Sequence, residues 1–346
     1  MRVLVTGLGT YWGGSLAQAL EQLDDVEMIV GLDTEEPTVP LERTEFVRAD
    51  TSYSILSRIV RATQVDTILH THLIVDTRNA SSRELHEINV IGTMNLLAAA
   101  GASNSPVRKV IVKSSTLVYG SSYQNPTFFR EEMPRARSPR TRVERSLIEV
   151  EDYLRDFAED NPHVVVSLLR FSNVLGERLD TPLSRALRMP AVPEIFGFDP
   201  RLQFTHHEDV LGACLFAARH DVPGIYNVAA DGLLPWSEVC TILGKPRLPL
   251  PPVGTGLVAG SLARLGLVQL PREALELLRY GRGVDNRRFK RAGFRYHYTS
   301  AGAVEAFAEA LRLERSIGDA RPAYRYERDV ENFFRHSPAV IRSGDA

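Results

Sequence analysis

The chain has 346 residues, 44% of them hydrophobic and 24% charged, with a formal net charge of −2. That length buries a core of domain size or more, and the balance excludes wholesale disorder. Near-neutral charge supplies no field toward nucleic acid, and no apolar run approaches the roughly 20 residues that cross a bilayer, so neither partner is expected.

The opening Met1-Arg-Val-Leu-Val-Thr-Gly7 enters a strand at once, without the basic and apolar regions of a signal peptide. Cys214 and Cys240 stand apart in no disulfide or metal pattern. Both features predict a cytoplasmic protein. Short β-branched runs predict strands at 3–6, 27–32, 45–47, 67–69, 109–113, 164–169 and 225–228. Longer patterned stretches at 14–23, 85–100 and 142–157 predict helices between them. This alternation is that of βαβ units and a doubly wound parallel α/β sheet. Beyond Gly176, prolines at 182, 190, 193 and 200, and again at 246, 249, 251 and 252, break the pattern. Helices are expected at 256–265, 271–280 and 300–313. The reading is a dinucleotide-binding core over 1–175, with 203–230 returning to it. A smaller, mostly α-helical and irregular lobe covers 176–202 and 231–338, and a frayed tail 339–346.

The first strand runs into Gly7-Leu-Gly9-Thr10-Tyr11-Trp12-Gly13 and then a helix. Glycine there lets the backbone turn tightly and approach a pyrophosphate, and the helix N-terminus offers free amides and a favourable dipole. Asp33 closes the second strand, about 20 residues on, where an acid accepts the ribose hydroxyls of NAD. No arginine follows in Asp33-Thr-Glu-Glu36 to welcome a 2′-phosphate, which favours NAD over NADP. Thr10 stands between Gly9 and Tyr11 in this turn, and its side chain either crowds the pyrophosphate or donates a hydroxyl to it.

Several further blocks follow in order: Val47-Arg-Ala-Asp50, Val65-Asp-Thr-Ile-Leu-His70, Ile88-Asn89-Val-Ile-Gly92-Thr93-Met-Asn95, Val112-Lys-Ser-Ser115-Thr-Leu-Val-Tyr119-Gly120, Leu169-Arg170-Phe-Ser-Asn173 and Gln203-Phe-Thr-His206-His-Glu-Asp209. With the glycine loop, they resemble the extended short-chain dehydrogenase/reductases, in particular the NAD-dependent epimerase/dehydratase family and its UDP-glucose 4-epimerase-like actinobacterial branch. The resemblance implies a Rossmann core holding NAD through Gly7, Gly9, Thr10, Tyr11, Trp12, Gly13 and Asp33. It adds Asp50 and Thr51 beside the adenine, and His70, Thr71, His72, Asn89, Ser114, Phe171 and Ser172 along the cofactor. It implies Ser115 as the residue orienting a reacting oxygen, and Asn173 and His206 toward a nucleotide-sugar substrate. A homodimer through the helices at 85–100 and 142–157 is implied as well. Apart from the resemblance, Arg201, Arg282, Arg287 and Arg288 are candidates to grip a diphosphate, Arg201 and Arg282 foremost, since guanidinium groups fit phosphate oxygens.

The family's Tyr and Lys, four residues apart, belong in the segment Pro139-Arg-Thr-Arg-Val143-Glu-Arg-Ser146-Leu147-Ile-Glu-Val-Glu151. Aligning Ser146 and Glu151 puts Val143 at the Tyr and Leu147 at the Lys. None of the eleven tyrosines is followed by Lys four residues on. Valine carries no proton and leucine cannot acidify a neighbour. Glu144, Tyr119 and Tyr123 are candidate substitutes, none favoured by spacing.

Other features read as structural. His70 and His72, two apart on a strand, share a face but have no further ligand cluster near, so no metal is expected. Asp209 is expected to cap a helix, and Glu144, Glu149, Glu151 and Asp152 to form an exposed helix face with Arg142, Arg145 and Arg155. Ser114-Ser115-Thr116 lacks the histidine base of a serine hydrolase. Two functions stay open: an atypical epimerase/dehydratase-like enzyme, and a non-catalytic NAD-binding sensor or scaffold.

Overall fold

Val3, Leu4 and Val5 have no exposed surface, as befits a strand covered on both faces. This first strand, β1 (Arg2–Thr6), lies in the interior of the sheet. In the computed structural model, which describes residues 1–317 apart from 77, 79, 257–259 and 261–269, it pairs in parallel with β2 (Met28–Asp33) on one side and β4 (Thr67–His70) on the other. β3 (Thr44–Arg48) lies outside β2. Beyond β4 come β5 (Lys109–Ser115), β6 (Val165–Phe171) and β7 (Gly224–Val228). The sheet is all parallel, in the order β7-β6-β5-β4-β1-β2-β3. The chain thus steps outward to β3 and returns across β1, leaving a switch point between β1 and β4, where such sheets bind ligands at their carboxyl ends. Register sets Thr6 beside both Leu32 and His70, so Gly7, Asp33 and the residues after β4 emerge together.

Alternation along the strands sorts two apolar layers. Val110, Val112 and Leu168 face α2 (Tyr53–Thr63), α4 (Gly92–Ala100) and α5 (Arg142–Asp160), through Leu56, Leu96, Leu97, Val143, Leu147 and Val150. Val3, Val5, Ile111 and Leu169 face α1 (Tyr11–Glu21) and α7 (His207–Arg219), through Leu16, Leu20, Val210, Ala213 and Ala217. The seven core strands fall where they are expected, to within a residue or two.

The expected helix at 85–100 is instead three pieces. A short α3 (Ser82–His86) starts earlier on a capping box between Ser81 and Glu84, a π-turn spans Glu87–Ile91, and α4 follows. The π-turn carries Asn89, whose amide bonds the Ile74 backbone in both directions and Ser146. α1 starts at Tyr11 rather than 14 because Thr10 caps it.

The later chain adds α6 (Pro182–Arg188), α8 (Trp236–Leu243), α9 (Arg272–Tyr280), α10 (Arg287–Arg291) and α11 (Ser300–Ile317). Three two-stranded ladders join Asn173–Leu175 to Phe204–His206, Arg201–Leu202 to Leu234–Pro235, and Val192–Ile195 to Arg247–Leu250. Of the helix expected at 256–265 only residues 256 and 260 are described, and the tail at 339–346 lies outside the described residues. The chain divides into two units, Met1–Phe307 and Ala308–Ala346, and the sheet and the site belong to the first. Among the described residues no helix is long and apolar enough to cross a membrane.

Candidate dinucleotide-binding site

The loop between β1 and α1 is built around two glycines. Gly7 has φ +77°, and a Cβ there would stand 2.8 Å from the His72 Cβ. A Cβ on Gly13 would stand 2.1 Å from the Gly7 carbonyl oxygen. The backbone is therefore folded back on itself, and side chains are excluded from it. Thr10 fits because its hydroxyl is turned into the loop, donating to the Gly7 carbonyl at 2.6 Å and accepting from the Gly13 amide at 3.2 Å. The hydroxyl is thus neither an obstacle nor a donor to a pyrophosphate: it is the helix cap. The amides of Tyr11 and Trp12 open the helix, where no carbonyl of its own can receive them, and are placed for an anion.

Asp33 is buried at the end of β2. Its Oδ2 accepts the Gly9 amide at 2.9 Å and its Oδ1 the Glu35 amide at 3.2 Å, which ties the loop to β2 and holds the carboxylate at the crevice. Asp50 is exposed, its Oδ1 accepting the Ser52 amide at 3.1 Å. Thr51 gives its carbonyl to Asn95 Nδ2.

Several expected cofactor contacts are spent inside the protein. His70 is 1% exposed, with Nδ1 2.7 Å from Thr6 Oγ1 and Nε2 3.0 Å from Thr93 Oγ1. Burial pushes its pKa down to about 3, so the ring is neutral. His70 ends β4 and His72 lies beyond it, so the pair is not the same-face strand pair expected; among the described residues no metal-holding cluster of His, Cys, Asp or Glu is found. The Thr71 hydroxyl donates to the Thr6 carbonyl, and Asn89 is fully buried. Ser114 turns its hydroxyl to Glu151, and Ser172 pairs with Thr205 at 2.8 Å.

A cavity of about 130 Å³ opens at the carboxyl ends of β5 and β6, lined by Trp12, Lys113, Ser115, Phe171, Asn173 and Arg282 among others. Ser115 caps the turn Thr116–Tyr119, accepting the Leu117 amide at 3.2 Å. Asn173 donates to the Gln203 carbonyl at 2.9 Å. Arg282 is 7% exposed, reaches the Gly120 carbonyl and Ser121 Oγ only at 3.5 Å, and is pushed by burial down to about 10. Arg201 and His206, expected beside them, do not line the cavity. Arg201 is exposed, and His206 is buried, caps α7 by accepting the Glu208 amide, and stacks on Tyr298. The helix cap is thus His206 and not Asp209, whose carboxylate is fully buried and accepts the amides of His297 and Tyr298. Over the cavity side, Arg185 bridges Asp76 and Asp180 at 2.8 Å each and Arg78 meets Asp180 at 2.6 Å, which clasps the loop after β4 to α6.

The two positions that the sequence alignment sets against the family's Tyr and Lys are hydrocarbon in the core: Val143 is 1% and Leu147 0% exposed. None of the three candidate substitutes lines the cavity. Tyr119 is buried, its hydroxyl donating to Asn227 Oδ1 at 2.9 Å and receiving Arg170 Nη1, and burial pushes it up to about 12. Glu144 caps α5 and pairs with Arg135 at 3.0 Å, and Glu151 pairs with Arg170, so neither belongs to an exposed helix face. Tyr123 is 66% exposed. The ionisable group that sequence reasoning missed is Lys113, 8% exposed and in the cavity. Its signal was a lysine closing the apolar run Val110-Ile-Val112 in a chain with only four lysines.

The chain is 36% identical over 318 residues to an uncharacterized protein of Mycobacterium tuberculosis, a match covering 90% of this chain and 83% of that one. Among solved structures it resembles the UDP-glucose 4-epimerase of Thermotoga maritima (TM-score 0.70, 17% identity, 92% and 100% of the two chains). It also resembles the UDP-glucuronic acid 4-epimerase of Bacillus cereus in complex with NAD (TM-score 0.66, 17% identity, 90% and 99%). Residues 3–229 match the model of the NAD dependent epimerase/dehydratase family, and to that family the chain belongs.

Proposed function

We propose that this chain binds NAD and does not run the family's Tyr/Lys proton transfer, serving instead as a non-catalytic NAD-binding sensor or scaffold. One observation carries the second half: the two positions that would hold the dyad are valine and leucine, packed in the core at 1% and 0% exposure. The first half is supported by the loop that a Cβ would fill and by the buried carboxylate of Asp33 beside it. The amides of Tyr11 and Trp12 would take the pyrophosphate and Asp33 the ribose hydroxyls, its charge opposing a 2′-phosphate. Asp50 and Thr51 would flank the adenine, and Trp12, Ser115 and Phe171 the other end. Bound NAD supplies a ring that accepts or returns a hydride.

A second reading, an atypical enzyme on a nucleotide-sugar, is favoured by Ser115, Asn173 and Arg282 lining one cavity. The cavity's about 130 Å³ suits a ring-sized group, against the roughly 300–1,000 Å³ of pockets for larger ligands. Calorimetry with NAD tests the common part. Adding UDP-sugars and following the reduced-nicotinamide absorbance separates the rest: tight binding with silence across the panel supports the first reading, and reduction by a sugar establishes the second. We also infer a homodimer, supported by Ile91 at the end of the π-turn and Met94 in the first turn of α4, exposed at 41% and 38%. Sedimentation as a monomer at micromolar concentration would remove it.

A further inference from the structure

Lys113 stands two residues before Ser115 on β5 and shares its face by the strand's alternation. That is the face of Ile111, against α1 and α7. Its Nζ lies 4.6 Å from the ring centroid of Trp12 and 5.8 Å from that of Phe171. Aromatic faces attract an ammonium but leave its charge in place. Among the described residues no carboxylate pairs with it, and the titratable group facing it is the Cys214 thiol of α7. Burial pushes that thiol up to about 12, so it is neutral. Glu273 and Arg282 line the same cavity. A buried cation thus stands at a ligand cavity without a counter-charge of its own.

Which part of a dinucleotide meets it follows from the sheet, given the NAD reading above. Asp33 at the end of β2 draws the adenosine half toward β2 and β3, so the nicotinamide half crosses the switch point to the ends of β4, β5 and β6. Trp12, Lys113 and Phe171 converge there. NAD⁺ and NADH share phosphates, riboses and adenine. They differ in that the oxidised ring is cationic and the reduced ring neutral. We propose that Lys113 makes this site select the reduced dinucleotide, by opposing the positive charge of the oxidised ring. In a site shielded from water, two like charges separate the affinities by roughly tenfold or more, and only such a difference can make occupancy follow the redox state.

The experiment is a set of dissociation constants for NADH and NAD⁺ on the full chain, for the wild type, Lys113→Met and Lys113→Arg. The wild type is expected to prefer NADH at about pH 7. Lys113→Met should shift the ratio toward NAD⁺ by about tenfold, and Lys113→Arg should keep it. Burial pushes the Lys113 ammonium down to about 8, so in the wild type the preference should fade between about pH 7 and about pH 9.5. That series needs no variant and decides the matter if Lys113→Met fails to fold. A ratio indifferent to pH in the wild type, or to Lys113→Met in a folded variant, overturns the role of Lys113 while NAD binding stands. Failure of both forms to bind overturns both.

Discussion

Glu151 grips Arg170 fork to fork inside the protein, Oε1 receiving Nε at 2.9 Å and Oε2 receiving Nη2 at 2.5 Å. Both side chains are almost fully buried, at 4% and 7% exposure, and Arg170 also reaches the Tyr119 hydroxyl and the Glu131 carbonyl. The pair ties α5 to β6 and the turn after β5. Removing one partner strands a buried charge, which typically costs about 3–5 kcal/mol. Glu151→Gln is therefore expected to lower the urea midpoint sharply. A loss below about 1 kcal/mol would show the pair to be solvated.

Acid should unfold the protein partly through His70. The unfolded chain protonates this ring near its ordinary value of 6.5, whereas the folded chain refuses the proton until about 3. Its contribution is complete above pH 6.5 and is lost as pH falls toward 3. Wild-type denaturant midpoints should drop between about pH 6.5 and about pH 4.5, and the slope should be shallower in His70→Asn. Parallel slopes in the two proteins would count against it.

Restoring the dyad should fail for a reason visible in the core. Leu147 is fully buried beside Val143, Val150 and Leu96. Leu147→Lys places an ammonium there, at a cost of several kcal/mol. Val143→Tyr with Leu147→Lys is expected to melt well below the wild type and to gain no turnover with UDP-sugars. A stable double variant that turns over would show a helix able to rotate the new pair toward the cavity.

Much of this was legible beforehand where the information is local. The strand, glycine turn and Asp33 lie within one βαβ unit, so spacing alone carries them. Burial of charge was not legible. Glu144 and Glu151 read as solvated helix positions because their partners, Arg135 and Arg170, come from a loop and another strand. Asp209 read as a cap because its partners are amides 88 and 89 residues away. Lys113 escaped notice because a lysine at the end of an apolar run does not say which face it takes. The three small ladders outside the main sheet involve strands of two to four residues, too short for a period to register.

Asp33 does two jobs, anchoring the Gly9 amide and facing the crevice. Asp33→Ala is expected to weaken NAD binding by at least about tenfold, the loss of charge-assisted hydrogen bonds. Calorimetry measures it, and unchanged affinity would place the adenosine elsewhere.

The clasp made by Arg185 predicts a kinetic effect. It joins the loop after β4 to α6, and Val75 and Thr181 from those two segments line the cavity. Arg185→Met should quicken NADH release several-fold in stopped flow, and added salt should quicken release from the wild type but less from the variant. Identical rates would leave the clasp a surface decoration.

Thr10 has one more implication. Because its hydroxyl bridges Gly7 and Gly13, the nucleotide-cradling turn is cross-braced before any guest arrives. A glycine in place of Thr10 would leave that stretch roaming and in need of freezing at the moment of capture. The threonine that looked like a blemish in the fingerprint is a pre-tensioned frame, and it favours holding a dinucleotide at rest.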